Sequence, residues 1–127
     1  MLQYSGLTLA YIGDAIFELK IREYLVNQGF TKVDDLHNKA IKYTSGKNQA
    51  LFIDELINLL SQEEIDFFKK GRNAKTSHKP KNCDLGDYHK STGFESLIGF
   101  LYLDKRYERL DEIIKLNIEY IEKFEKE

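Results

Sequence analysis

Apolar residues recur every three or four positions along almost the whole of this 127-residue sequence, and its only proline is Pro80. That period is the signature of α-helices with one face turned inward, and no stretch alternates at period two for long enough to suggest a strand. The chain is therefore expected to be all-α, a helical bundle. The spacing predicts helices over Leu7 to Asn27, stopped by Gly29, then Val33 to Tyr43 and Asn48 to Leu60. A short helix should follow through Phe68, opened by Ser61 and Glu64 at the spacing of a capping box. Two more are expected over Tyr88 to Leu103 and Lys105 to Phe124, the last with Leu110, Ile113, Ile114, Asn117 and Ile121 on one face. Gly71 to Asp87 holds the proline and many Lys, Asn, Ser and Gly residues, so it reads as the one long loop.

Length and the absence of repeats or linkers point to residues 1–127 as a single domain. A composition of 42% hydrophobic and 31% charged residues is that of an ordinary globular protein. The lone cysteine, Cys83, cannot close an intramolecular disulfide, which fits a reducing, cytoplasmic setting. Asp14, Glu18 and Lys20 interrupt the N-terminal apolar stretch well short of the roughly 18–20 residues of a membrane span. It also lacks a basic leading region, so neither a membrane partner nor a signal peptide is expected.

Within that stretch, "AYIGDAIFE" (Ala10 to Glu18), Asp14 stands among apolar neighbours. Burying an unpaired carboxylate costs several kcal/mol, so the group must be paired, neutralised or bound to a metal. On a helix its face also carries Ala10, Tyr11, Phe17, Glu18 and Ile21, and the only charge among these is another acid. The oddity recurs in "STGFESLIGFLYL", where Glu95 sits among Phe94, Leu97, Ile98, Phe100 and Leu101. Gly13 beside Asp14, and Gly93 and Gly99 around Glu95, would let two helix backbones come close enough for the carboxylates to share an ion. Mg²⁺ suits such a site, since one or two carboxylates suffice while waters and phosphate oxygens complete its shell. From spacing alone other roles stay open: Asp14 as a helix cap before Ala15 or as an ion-pair partner, Glu95 at a solvent edge.

Other constellations carry less. His78, Cys83 and His89 lack the spacing of zinc ligands and read as a solvated trio. "SGKNQ" has Ile41 where a phosphate-binding loop needs its first glycine. No His-Asp dipeptide occurs, which argues against the helical phosphohydrolases that bind metal through one. Charge is more informative. From Lys69 to Lys81 there are six Lys or Arg and no acid, so with a total of −2 the remainder carries −8. Basic residues interleaved with Gly, Asn, Ser and Thr, without aromatics for stacking, favour the backbone of double-stranded nucleic acid.

Together these residues resemble a known family. "AYIGDAIFE" resembles the ribonuclease III signature Glu-x-x-Leu-Gly-Asp-Ala/Ser, and "STGFESLIGFLYLD" resembles the family's second acidic helix, where Phe-Glu-Ala-Leu-Ile-Gly is usual. "GRNAK" (Gly71 to Lys75), with no double-stranded-RNA-binding domain, is similar to the Mini-ribonuclease III group. The resemblance implies an all-α, Mg²⁺-dependent endoribonuclease, with Mn²⁺ as a substitute, acting as a homodimer on double-stranded RNA. It implies maturation of the ends of 23S rRNA precursor in the bacterial cytoplasm, leaving 5′-phosphate and 3′-hydroxyl ends. By position Asp14 and Glu95 would be the catalytic metal ligands. The wider family's glutamate four residues before the aspartate is Ala10 here, and its aspartate three before the glutamate is Thr92. Glu18 is therefore a candidate to supply missing negative charge, directly or through water. Arg72, Lys75 and Lys47 are the expected phosphate contacts. The reduced acidic set also leaves open an alternative, a catalytically inert RNA-binding or ribosome-assembly module, and more distantly a nucleotide phosphohydrolase.

Overall fold

The computed structural model describes residues 3–75 and 84–125. Six α-helices follow in order, α1 (Gly6–Asn27), α2 (Val33–Thr44), α3 (Gly46–Leu56), α4 (Gln62–Arg72), α5 (Leu85–Leu103) and α6 (Tyr107–Glu125). A 3₁₀ turn at Ile57–Leu59 follows α3, and the described residues contain no strand. Helix α5 is the axis of the bundle, lying along α1, α4 and α3, with Phe94, Leu97, Ile98 and Leu101 fully buried. A helix apolar on nearly all sides belongs in such a position. Against it α1 buries Leu9, Phe17 and Ile21, and α6 buries Leu110, Ile113, Ile114, Asn117 and Ile121, the face its spacing predicts.

Capping residues set the helix ends. Ser5 accepts from the Thr8 N–H and starts α1; Gly29, at φ 101°, ends it in the left-handed region that glycine tolerates. Ser61 and Glu64 form the expected capping box at the start of α4. Glu64 is then held in place by Arg109 of α6, whose Nε lies 2.8 Å from Glu64 Oε2.

Five expected boundaries move by two residues or more, among them the start of α6, expected at Lys105 and found at Tyr107. Helix α3 begins at Gly46, because Ser45 caps the Asn48 N–H, and α-helical bonding stops at Leu56, giving way to the 3₁₀ turn. Helix α4 continues a full turn past Phe68 to Arg72. Helix α5 starts at Leu85, where Asp84 accepts from the Asp87 N–H at 2.7 Å. The long loop expected over Gly71 to Asp87 is thus helix at both ends. His78, Lys79, Lys81 and Cys83 of that stretch lie outside the described residues.

Candidate active site

Helices α1 and α5 meet backbone to backbone. A β-carbon at Gly13 would lie 2.7 Å from the Glu95 carbonyl carbon and 2.8 Å from the Gly99 nitrogen, so only glycine allows the approach. The same holds about one turn away, where a β-carbon at Gly99 would stand 2.8 Å from the carbonyl carbon of Leu9. Beside this crossing Phe17 meets Phe94 edge-on, ring centroids 5.2 Å apart, which fixes the register of the two helices. Asp14 follows Gly13 and Glu95 follows Phe94, so the packing itself carries the two carboxyls to one place.

The structure corrects the premise about Asp14. It is not buried; it stands exposed in the third turn of α1, on the rim beside the buried Gly13 and Phe17. A role as a helix cap before Ala15 is excluded, since α1 is capped by Ser5. Glu95, half-buried on α5, is the one more withdrawn from water. Burial pushes its carboxyl up to about 9, helped by a hydrogen bond to the Asp14 carboxylate and by the charges of Asp14 and Glu18. Glu95 accordingly holds its proton against Asp14.

Glu64 provides the contrast. It is 4% exposed, and burial alone would raise its pKa. Hydrogen bonds from Arg109 and Ser61 outweigh that and hold the carboxyl below the usual range. A buried acid built for structure has its countercharge; Glu95 has only further acids.

Glu18 is half-buried one turn beyond Asp14 and adds to the field on Glu95, but its Oε2 is taken by Arg22 Nε at 3.2 Å. That partner was not among the expected site residues, although the Glu-x-x-x-Arg spacing signals it. The positions lacking family acids are closed: Ala10 is buried, and Thr92, also buried, donates its hydroxyl to the Tyr88 carbonyl.

Among the described residues no three His, Cys, Asp or Glu side chains are arranged to enclose a metal ion. What α1 and α5 present is an open, oxygen-only pair with Glu18 at its edge. Two neighbouring carboxyls without a cation of their own fit a hard divalent ion whose remaining positions go to water and phosphate.

The expected phosphate-binding residues stand on, or just beyond, two helices that pack against α5. Gly71 in the last turn of α4 is pressed against Thr92, Gly93 and Ser96, one turn from Glu95. Arg72 beside it lies over the Phe68 ring at 5.5 Å, its Nε bonded to Asn73, and Lys75 is exposed just beyond. Lys47 is exposed in the first turn of α3, two residues before Gln49, which accepts from Ser91 of α5. His89, from the discounted zinc trio, sits on α5 with its ring against Tyr88.

Comparison with known proteins adds a second line. Residues 7–106 match the family model described as the ribonuclease III domain. A Mini-ribonuclease 3 of Symbiobacterium thermophilum is 43% identical over 117 residues, 92% of this chain and 90% of the relative. The Mini-ribonuclease 3 of Enterococcus faecalis is 47% identical over 114 residues, 88% of this chain and 86% of the relative. A crystal structure of a Fusobacterium nucleatum protein superposes with a TM-score of 0.84 at 36% identity, covering 92% of this chain and 93% of that one.

Proposed function

This chain belongs to the ribonuclease III family, among the Mini-ribonuclease 3 proteins, and is an endoribonuclease; from that premise we propose that it cuts double-stranded RNA with Mg²⁺ held by Asp14 and Glu95. The observation that carries the reading is the pairing of those two carboxyls where α1 crosses α5, with Glu95 pushed up to about 9 by burial and by the acids beside it. A bound Mg²⁺ would supply an activated water and stabilise the oxygen that leaves; Mn²⁺, equally content with oxygen ligands, would serve in its place. The chain's own residues do the rest. Asp14 and Glu95 would hold the ion and so fix the place of reaction, Glu95 as the carboxylate that such binding requires. Glu18 adds negative charge at the edge, directly or through water. Arg72, Lys75 and Lys47 hold backbone phosphates on either side of α5, which sets the strand across the acids. Cutting the P–O3′ bond leaves 5′-phosphate and 3′-hydroxyl ends.

The substrate we propose is the paired end region of 23S rRNA precursor, on the strength of family membership, and the setting the bacterial cytoplasm; among the described residues no helix is long and apolar enough to cross a membrane. We also propose a homodimer. Tyr11, 79% exposed, with Leu7 one turn before it leaves apolar surface at the start of α1 that a second copy would cover. Residues 1–127 would act as one domain.

The test incubates the protein with a structured rRNA precursor, single-stranded RNA and free nucleotides, in Mg²⁺ and in EDTA. Cutting of the duplex alone, in Mg²⁺ alone, is expected. Duplex bound but uncut under every condition would overturn the enzyme and leave an RNA-binding module.

A further inference from the structure

Helix α1 carries only two cations, and they face different ways. Lys20 Nζ pairs with Asp111 of α6 at 3.0 Å. Arg22 instead continues the line Asp14, Glu18, Arg22, each one turn beyond the last. Only one edge of its guanidinium is engaged, by Glu18; the two Nη groups bond nothing among the described residues. The side chain is 69% exposed. A groove of about 340 Å³ opens beside it between α1 and α2, lined by Glu18, Val26, His37 and Ile41 among others.

An exposed Glu–Arg pair one turn apart adds little to stability, so stability does not account for its position. Position relative to the acids does. Asp14 and Glu95 pair at the α1–α5 crossing with Glu18 at the edge, and RNA arrives with a charge on every phosphate. Arg22 follows Glu18 by about 6 Å of helix rise and Asp14 by about 12 Å, which puts it beyond the acids, at the reach of a neighbouring phosphate and not of the scissile one. Pinning Nε to Glu18 leaves the Nη fork pre-oriented, and that planar fork matches phosphate oxygens.

We propose that Arg22 is a substrate-binding residue, its Nη edge taking a backbone phosphate of the strand being cut, beside the scissile one, while Glu18 holds the fork in place. This rests on the reading that Asp14 and Glu95 mark the scissile phosphate.

The experiment compares Arg22→Gln and Arg22→Lys with the wild type and with Asp14→Asn, all as full chains on duplex RNA. For Arg22→Gln, KM should rise roughly tenfold with the loss falling on KM and not on kcat, and the slope of log affinity against log salt should fall by about one. Its Mg²⁺ midpoint, solution mass and melting temperature should match the wild type, and Arg22→Lys, keeping charge without the fork, should recover part of the loss. Unchanged affinity and salt slope in Arg22→Gln would overturn the proposal. So would a shifted Mg²⁺ midpoint at constant slope, which would reduce Arg22 to a holder of Glu18, or a change in solution mass, which would place it in a dimer contact. Asp14→Asn separates the two levels. Wild-type cutting by Asp14→Asn would overturn the site itself, whereas lost cutting there with an unaltered Arg22→Gln would overturn the phosphate contact alone.

Discussion

Replacing Gly13 with alanine should damage catalysis far more than its single added carbon suggests. The new β-carbon would stand 2.7 Å from the Glu95 carbonyl carbon and 2.8 Å from the Gly99 nitrogen, against an ordinary contact of about 3.5 Å. Those atoms are backbone in the middle of a helix and cannot rotate away, so α1 and α5 must part by about an ångström. Overpacking against fixed backbone belongs at the upper end of the usual range, about 2–3 kcal/mol, offset in part by the roughly 1 kcal/mol that alanine gains over glycine inside a helix. A net loss of about 1–2 kcal/mol lowers the melting temperature by roughly 4–8 °C in a domain of this size. Displacing catalytic groups by about 1 Å, however, costs on the order of 10²-fold in rate. Thermal unfolding followed by circular dichroism, with single-turnover cleavage of duplex RNA at saturating Mg²⁺, reads both effects. Gly86→Ala is the control: its β-carbon meets only Asp84 Oδ1, at 3.4 Å, so it should melt no lower than the wild type and cut normally. A Gly13→Ala protein that melted and cut like the wild type would refute the claim that this helix crossing positions the acids.

Three further outcomes follow from the same features. Glu95 has a folded-state pKa of about 9, above its unfolded value of about 4.3, so the metal-free protein should lose stability as pH rises between those values. Glu95→Gln should escape that loss, with an advantage in EDTA that grows from pH 5 to pH 9 to about 1–2 kcal/mol after allowance for solvent screening; denaturant melts showing a constant difference would contradict it. Asn117 is fully buried, with neither amide atom bonded to protein among the described residues, so Asn117→Leu should raise stability by about 1 kcal/mol, and a loss of that size would show the amide to be satisfied. Alanine at both Arg72 and Lys75 should weaken RNA binding and flatten its salt slope by about two, and an undiminished slope would remove them from the interface.

Much of this was legible in the residues, for identifiable reasons. The inner face of α6 alternates with charge at every turn, so Leu110 to Ile121 could be assigned to the core, Asn117 included. The Ser61–Glu64 capping box is a local signal and needs no tertiary context. Helix α1 was harder: it exposes Leu7, Tyr11, Leu19 and Val26 as well as burying Leu9 and Phe17, so its spacing does not say which face turns outward. Asp14 was accordingly expected inside and lies on the rim, while the desolvated acid is Glu95, eighty-one positions away in sequence. The cap at Asp84, three residues before Asp87, was readable but outweighed by the polar run preceding it. The break of α3 at Leu56 was not readable, because Ile57, Leu59 and Leu60 continue the apolar spacing. The partnership of Glu18 with Arg22 was readable from spacing, but its meaning depended on α5 bringing Glu95 alongside.

The most direct measurement is single-turnover cleavage of duplex RNA in Mg²⁺ by Asp14→Asn and Glu95→Gln, with RNA binding measured in parallel. If the α1–α5 acid pair is where the phosphodiester is cut, each variant should lose at least about 10²-fold in rate while binding RNA within a few-fold of the wild type. Cutting at the wild-type rate by either variant would contradict that assignment.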